Sequence, residues 1–124
     1  MSWRYFKRAE FACRHCGENL ILDSFVERLD ELRHICGFPL IVTSGYRCPA
    51  HNNKVSSTGL NGPHTTGEAV DLLVDRKLAF TVVKHAIPLG FTGLGFQQKG
   101  HIRFLHLDTL EDVPGQPRPT VWSY

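Results

Sequence analysis

The chain has 124 residues, 42% of them hydrophobic and 21% charged, which is one domain's worth of material with enough apolar content for a single core. Fourteen Lys and Arg against twelve Asp and Glu leave a net charge of +2, too small for a dedicated polyanion binder, so nucleic acid is not expected as a partner. No apolar run approaches the roughly 18 residues that would span a membrane, so no membrane partner is expected either.

In chain order, residues 24–36 are predicted to be helical, with Asp23 as N-cap and Val26, Leu29, Leu32, Ile35 and Cys36 recurring near helical spacing. Gly37 and Pro39 stop that helix. Residues 40–43 read as a short buried strand, after which Ser44, Gly45, Arg47, Pro49, His51, Asn52 and Asn53 announce an irregular segment lasting to about Gly67. So long a stretch without periodicity inside a small domain points to function or mobility. Residues 68–74 form a mostly apolar strand interrupted by Asp71, and a second helix covers 77–87 before Pro88 and Gly90. Strands at 93–97 and 102–108 flank a turn at Lys99-Gly100. The tail 113–124 holds Pro114, Pro117 and Pro119 and ends in Trp122 and Tyr124, an apolar clasp expected to pack back. The predicted fold class is α+β, a small antiparallel sheet with two main helices in a single domain, 1–124.

Seven histidines are many for a chain with so little core to hide them. His64 lies in a Gly-rich loop seven positions before Asp71, and an aspartate in an apolar strand must meet a cation, a set of donors or a metal. An ion pair or backbone cap satisfies it as well as a metal does. Strand alternation places Ile102, Phe104, His106 and Asp108 on one face, where His106 is either a satisfied core residue or a ligand. Together His64, Asp71 and His106 make a set of three with an open fourth position, the arrangement in which zinc acidifies a water. Arg47, directly after a strand, either ties down its loop or forks onto a carboxylate or oxyanion.

The order of these segments carries a resemblance. Ser44-Gly45-Tyr46-Arg47-Cys48-Pro49, His51-Asn52, His64-x-x-Gly67-x-Ala69-x-Asp71, Gly93-x-Gly95-Phe96, Phe104-Leu105-His106-Leu107-Asp108 and a tryptophan near the C-terminus resemble the zinc D-alanyl-D-alanine carboxypeptidases. That family shares its fold with the hedgehog signalling domain and with bacterial and phage murein endopeptidases. Tyr5-Phe6 and Glu10-Phe11-x-Cys13 resemble the start of its short, single-domain members. The resemblance implies one catalytic zinc on His64, Asp71 and His106, with Arg47 binding the substrate carboxyl or stabilising charge near the scissile bond. The implied reaction is hydrolysis of a peptide bond next to D-alanine in peptidoglycan or its precursors, by a carboxypeptidase or an endopeptidase. The partner is then the peptidoglycan peptide stem, and the protein is expected to act as a monomer.

Many relatives place a glutamate three residues before the last ligand, or a histidine two before it, where this chain has Arg103 and Phe104. His101 and Asp108 are the nearest titratable substitutes for the catalytic base, with Glu68 a third on the opposite face. The departure keeps open a second reading, a catalytically silent zinc-containing domain that binds cell wall or serves a phage particle. Residues 1–14 mix Arg4, Lys7, Arg8 and Glu10 with aromatics and lack the apolar stretch of a secretory signal, so cytoplasmic synthesis is expected, with release to the wall as a phage lysis protein one route outward. Cys13-x2-Cys16 and Cys48-x2-His51 have the ligand types and spacing of a second, structural zinc. A disulfide and free thiols are the competing readings, with Cys36 a residue of the first helix.

Overall fold

Alternation along the segment around Asp71 sends Val70 and Leu72 to one side and Asp71 to the other, and this split organises the molecule. In the computed structural model, which describes residues 2–124, five strands form one sheet: β1 (Val42–Ser44), β2 (Ala69–Leu73), β3 (Gly93–Gln97), β4 (Phe104–Asp108) and β5 (Thr120–Ser123). Their spatial order is β1-β2-β4-β3-β5. Neighbours are antiparallel except β3 and β5, which run parallel.

One face of the sheet is the core. Val70, Leu72, Leu94, Leu105 and Leu107 are buried there against helices α1 (Asp23–Cys36) and α3 (Arg76–Ala86). From α1 come Phe25, Val26, Leu29 and Leu32, spaced to fall on one stripe, and from α3 come Ala79, Val82 and Ala86. Phe6 and Phe11 of the N-terminal arm complete this core, and the arm is tied to α1 where Asp30 accepts bonds from Arg4 Nε at 3.0 Å and the Tyr5 amide at 2.9 Å.

The other face carries polar residues in one row. Strand register sets Ser44 opposite Asp71, Asp71 opposite His106, His106 opposite Gly95 and Gly95 opposite Trp122. Residues in register share a face, so five strands deliver one residue each to a single line across the sheet. The glycine in that line is a requirement of space: a Cβ on Gly95 would stand 2.7 Å from the Trp122 ring and 3.0 Å from His106 Cβ.

Several elements differ from expectation. Asp23 is the first residue of α1 rather than its cap; Leu22 holds the N-cap position, and Asp23 instead pairs with Arg8 at 2.8 Å. The segment expected to be irregular contains α2 (Pro49–Val55) and two short 3-10 turns, Gly59–Asn61 and Pro63–Thr65. Helix α2 has almost no apolar stripe, its buried residue being Asn52, and so it lacks helical periodicity; Pro49 at its first turn is its only strong signal. The tail is a true strand, and its parallel pairing with β3 makes the sheet mixed rather than antiparallel.

Candidate metal centre

His64, Asp71 and His106 converge at the floor of a cleft of about 1000 Å³. His64 comes from the turn before β2, Asp71 from the middle of β2 and His106 from the middle of β4. All three are buried. His64 Nε2 lies 3.2 Å from Asp71 Oδ1 and 3.3 Å from His106 Nδ1, and His106 Nδ1 lies 3.3 Å from Asp71 Oδ1.

The far sides of both imidazoles decide what that triangle offers. His64 Nδ1 is 2.8 Å from the carbonyl of Gly45, which can only accept, so Nδ1 carries a proton and, in the neutral ring, Nε2 is a bare lone pair. His106 Nε2 is 2.7 Å from Asp108 Oδ2 and donates to it, which leaves Nδ1 bare in the neutral ring. With both rings neutral, three acceptors therefore face one another with no donor between them, and either a proton or a metal ion must bridge them. A tetrahedral metal with bonds of about 2.0–2.2 Å spans ligand atoms about 3.3–3.6 Å apart, and the observed separations fit it.

The charges agree with this geometry. Burial alone would raise the Asp71 pKa, but hydrogen bonds and charge from His106 and His64 outweigh it and hold the carboxyl well below the usual range. Burial would likewise lower His106, yet its bonds to Asp108 and Asp71 prevail and its pKa is raised. A proton and a metal thus compete for the same lone pair.

Supporting residues fix each ligand. Asp108, fully buried, accepts four hydrogen bonds: Arg118 Nε at 2.9 Å and the Leu110 amide at 3.3 Å on Oδ1, Arg118 Nη2 at 2.8 Å and His106 on Oδ2. Burial works against ionisation here too, but His106 and Arg118 bring the Asp108 pKa down to about 2. The Arg118 guanidinium sits 5.3 Å from the Trp122 ring centroid, and that ring lies 4.9 Å from the His106 ring. Arg47 lines the cleft, its Nη2 3.9 Å from Asp71 Oδ2. It is aimed by Nη1 donating to Asn52 Oδ1 at 2.8 Å and Nη2 to Ser44 Oγ at 3.0 Å, while its backbone N–H donates to the His64 carbonyl at 3.0 Å.

The expected base candidates stand elsewhere. His101 is exposed in the β3–β4 turn and does not line the cleft. Asp108 is turned away from the cleft, with both oxygens engaged. Glu68 accepts from Thr109 Oγ1 at 3.2 Å outside the cleft. Arg118 and Asn52, conversely, were not singled out for the site by sequence reasoning. A bidentate arginine in a proline-rich tail has no local signal, and Asn52 is identified only by its place on the polar helix beside Arg47.

No curated protein and no solved structure gives a match. A sequence model of the family described as Peptidase M15 matches residues 4–108, a span that contains Arg47, the three convergent residues and Asp108 and stops short of Arg118 and Trp122. With most of the chain matched and its His, Asp, His triangle in place, the protein belongs to the peptidase M15 family, that of the zinc D-alanyl-D-alanine carboxypeptidases.

Proposed function

We propose that the protein is a zinc-dependent hydrolase of murein peptides that cuts a bond next to D-alanine. The observation that carries this reading is the triangle of converging ligand atoms, His64 Nε2, Asp71 Oδ1 and His106 Nδ1, at the floor of an open cleft. Zinc held there supplies Lewis-acid polarisation of a carbonyl and a water acidic enough to attack near neutral pH. The chain's own residues do the rest. Arg47, fixed by Asn52 and Ser44, presents its guanidinium to the substrate carboxylate or to the oxygen that gains charge. Asp108 keeps the proton of His106 on Nε2, so Nδ1 remains a ligand. Trp122 covers the His106 ring and, with Phe104 and Tyr124, gives the cleft an apolar wall for a short peptide.

One observation favours a second reading, a zinc-containing domain that binds wall peptides without cutting them. Beyond the three convergent residues, no carboxylate or imidazole side chain lines the cleft among the described residues, so the usual acceptor for the water's proton is missing. Incubation of zinc-loaded protein with peptidoglycan separates the two. The hydrolase releases D-alanine or new amine termini, and both chelator and His64→Ala abolish the release. Retention on peptidoglycan with no product, unchanged in His64→Ala, rules out hydrolysis. Mass spectrometry of the fragments then assigns carboxypeptidase or endopeptidase action.

A further inference from the structure

A second group of side chains with metal-ligand chemistry includes Cys48, one residue beyond Arg47. Cys13, Cys16 and Cys48 place their sulfur atoms within 4.8 Å of one another. Four ligands at about 2.3 Å from zinc stand about 3.8 Å apart, so small side-chain adjustments close the group on an ion. The backbone is shaped for a thiolate. The Cys48 amide donates to Cys13 Sγ at 3.3 Å. An amide aimed at sulfur compensates negative charge there. The turn that carries Cys13 and Cys16 closes with the Gly17 amide donating to the Cys13 carbonyl at 2.9 Å, at a φ of 78° that suits glycine.

Imidazole is at hand for a fourth position. His15 Nδ1 is 3.7 Å from Cys48 Sγ, near the sulfur-to-nitrogen edge of about 3.6 Å in a tetrahedral zinc site. The His51 ring, one turn into α2, stacks on His15 at 5.2 Å. We infer that Cys13, Cys16 and Cys48, completed by an imidazole of the His15–His51 pair, form a structural zinc site separate from the cleft. Its role is to clamp the N-terminal arm onto the loop that presents Arg47. That loop is already laced to the arm by the Tyr46 amide on the Phe11 carbonyl at 2.8 Å and the Tyr46 hydroxyl on Glu18 at 3.2 Å. Cys48 caps the helix whose Asn52 aims Arg47. The inference is independent of the hydrolase reading.

The test uses the full chain purified under reducing conditions with its thiols intact, because Cys48→Ser removes a buried residue and can fail to fold. Elemental analysis of His64→Ala is expected to find one zinc per chain. In that protein a thiol reagent modifies at most Cys36 until chelator is added, whereupon three further thiols react. Cobalt substituted into His64→Ala gives a sulfur-to-cobalt charge-transfer band. The His15→Ala/His51→Ala double substitution, made in the same background, loses its zinc to a chelator that the parent withstands. A His64→Ala protein without zinc, four thiols reactive before chelation, a cysteine pair found oxidised, or zinc retention unaffected by loss of both histidines overturns the inference.

Discussion

Replacing Asp108 by Asn tests whether this carboxylate sets the His106 tautomer. Asp108 accepts two hydrogen bonds on each oxygen, from Arg118 Nε and the Leu110 amide on one side and from Arg118 Nη2 and His106 Nε2 on the other. An asparagine of the same shape has one oxygen, so either orientation sets its NH2 against two donors. With the NH2 toward His106, the ring moves its proton to Nδ1 and loses the lone pair that faces His64 and Asp71. With the NH2 toward the Leu110 amide, the Arg118 guanidinium keeps a single acceptor and is left as a charge without a counter-ion. Losing two bonds, at least one of them charge-assisted, at a fully buried position costs about 3–5 kcal/mol, or roughly 10–20 °C in the melting temperature of a domain this size. Metal affinity should fall by about 10–100-fold, as when a hydrogen-bond partner of a ligand histidine is lost. Urea unfolding in the presence of chelator reads the first effect. Competitive zinc titration, read on the equivalent that His64→Ala abolishes, gives the second. An Asp108→Asn protein within about 0.5 kcal/mol of wild type and with unchanged zinc affinity would refute the reasoning.

Gly95→Ala drives a methyl group into Trp122 and His106; a loss of about 1–3 kcal/mol is expected, with a shift in Trp122 emission that is absent in a Trp122→Phe background. For the metal-free chain, the lowered Asp71 and Asp108 pKa values stabilise the fold above about pH 4, and that contribution disappears as pH falls, through about 2 for Asp108. The raised His106 pKa contributes in the opposite sense, present below about pH 6.5 and lost as pH rises through its folded value. Urea unfolding in chelator should therefore show greatest stability between about pH 4 and 6.5; stability still rising beyond pH 8 would count against the His106 assignment. His101→Ala, at an exposed turn outside the cleft, should leave turnover and zinc content within about twofold of wild type, and a large fall in kcat would return it to the site.

What was legible in the sequence divides along physical lines. Strands β2, β3 and β4 and helices α1 and α3 announce themselves because each buries a stripe or an alternating face, and burial leaves a period in the sequence. His64, Asp71 and His106 stand out for the converse reason, as polar residues in apolar or tightly turned surroundings. Helix α2 and the tail strand were not seen because neither is organised by its own apolar pattern. Asn52 is buried for Arg47, and Trp122 is placed by a parallel pairing with β3 that no local motif encodes. The base candidates lie outside the cleft for a related reason: nearness in sequence to His106 is not nearness in space, since His101 sits in the exposed turn before β4 and Asp108 bonds His106 from the side away from the cleft.

The small net charge acquires a local meaning from these contacts. Each carboxylate at the centre has its own arginine, Asp71 beside Arg47 and Asp108 gripped by Arg118. With both histidines neutral, these four charges sum to zero, so the proposed divalent ion adds two positive charges to a balanced pocket, however the remaining side chains are distributed. Arg118 is engaged by both oxygens of a buried carboxylate and its side chain is only 7% exposed, whereas Arg47 is held by two neutral groups and meets Asp71 only at 3.9 Å. The guanidinium bound by neutral partners keeps more of its field for an incoming anion. Under the proposed function, Arg47 is therefore the arginine that would recognise a carboxylate, and Arg118 the one that would hold the geometry of the candidate metal centre.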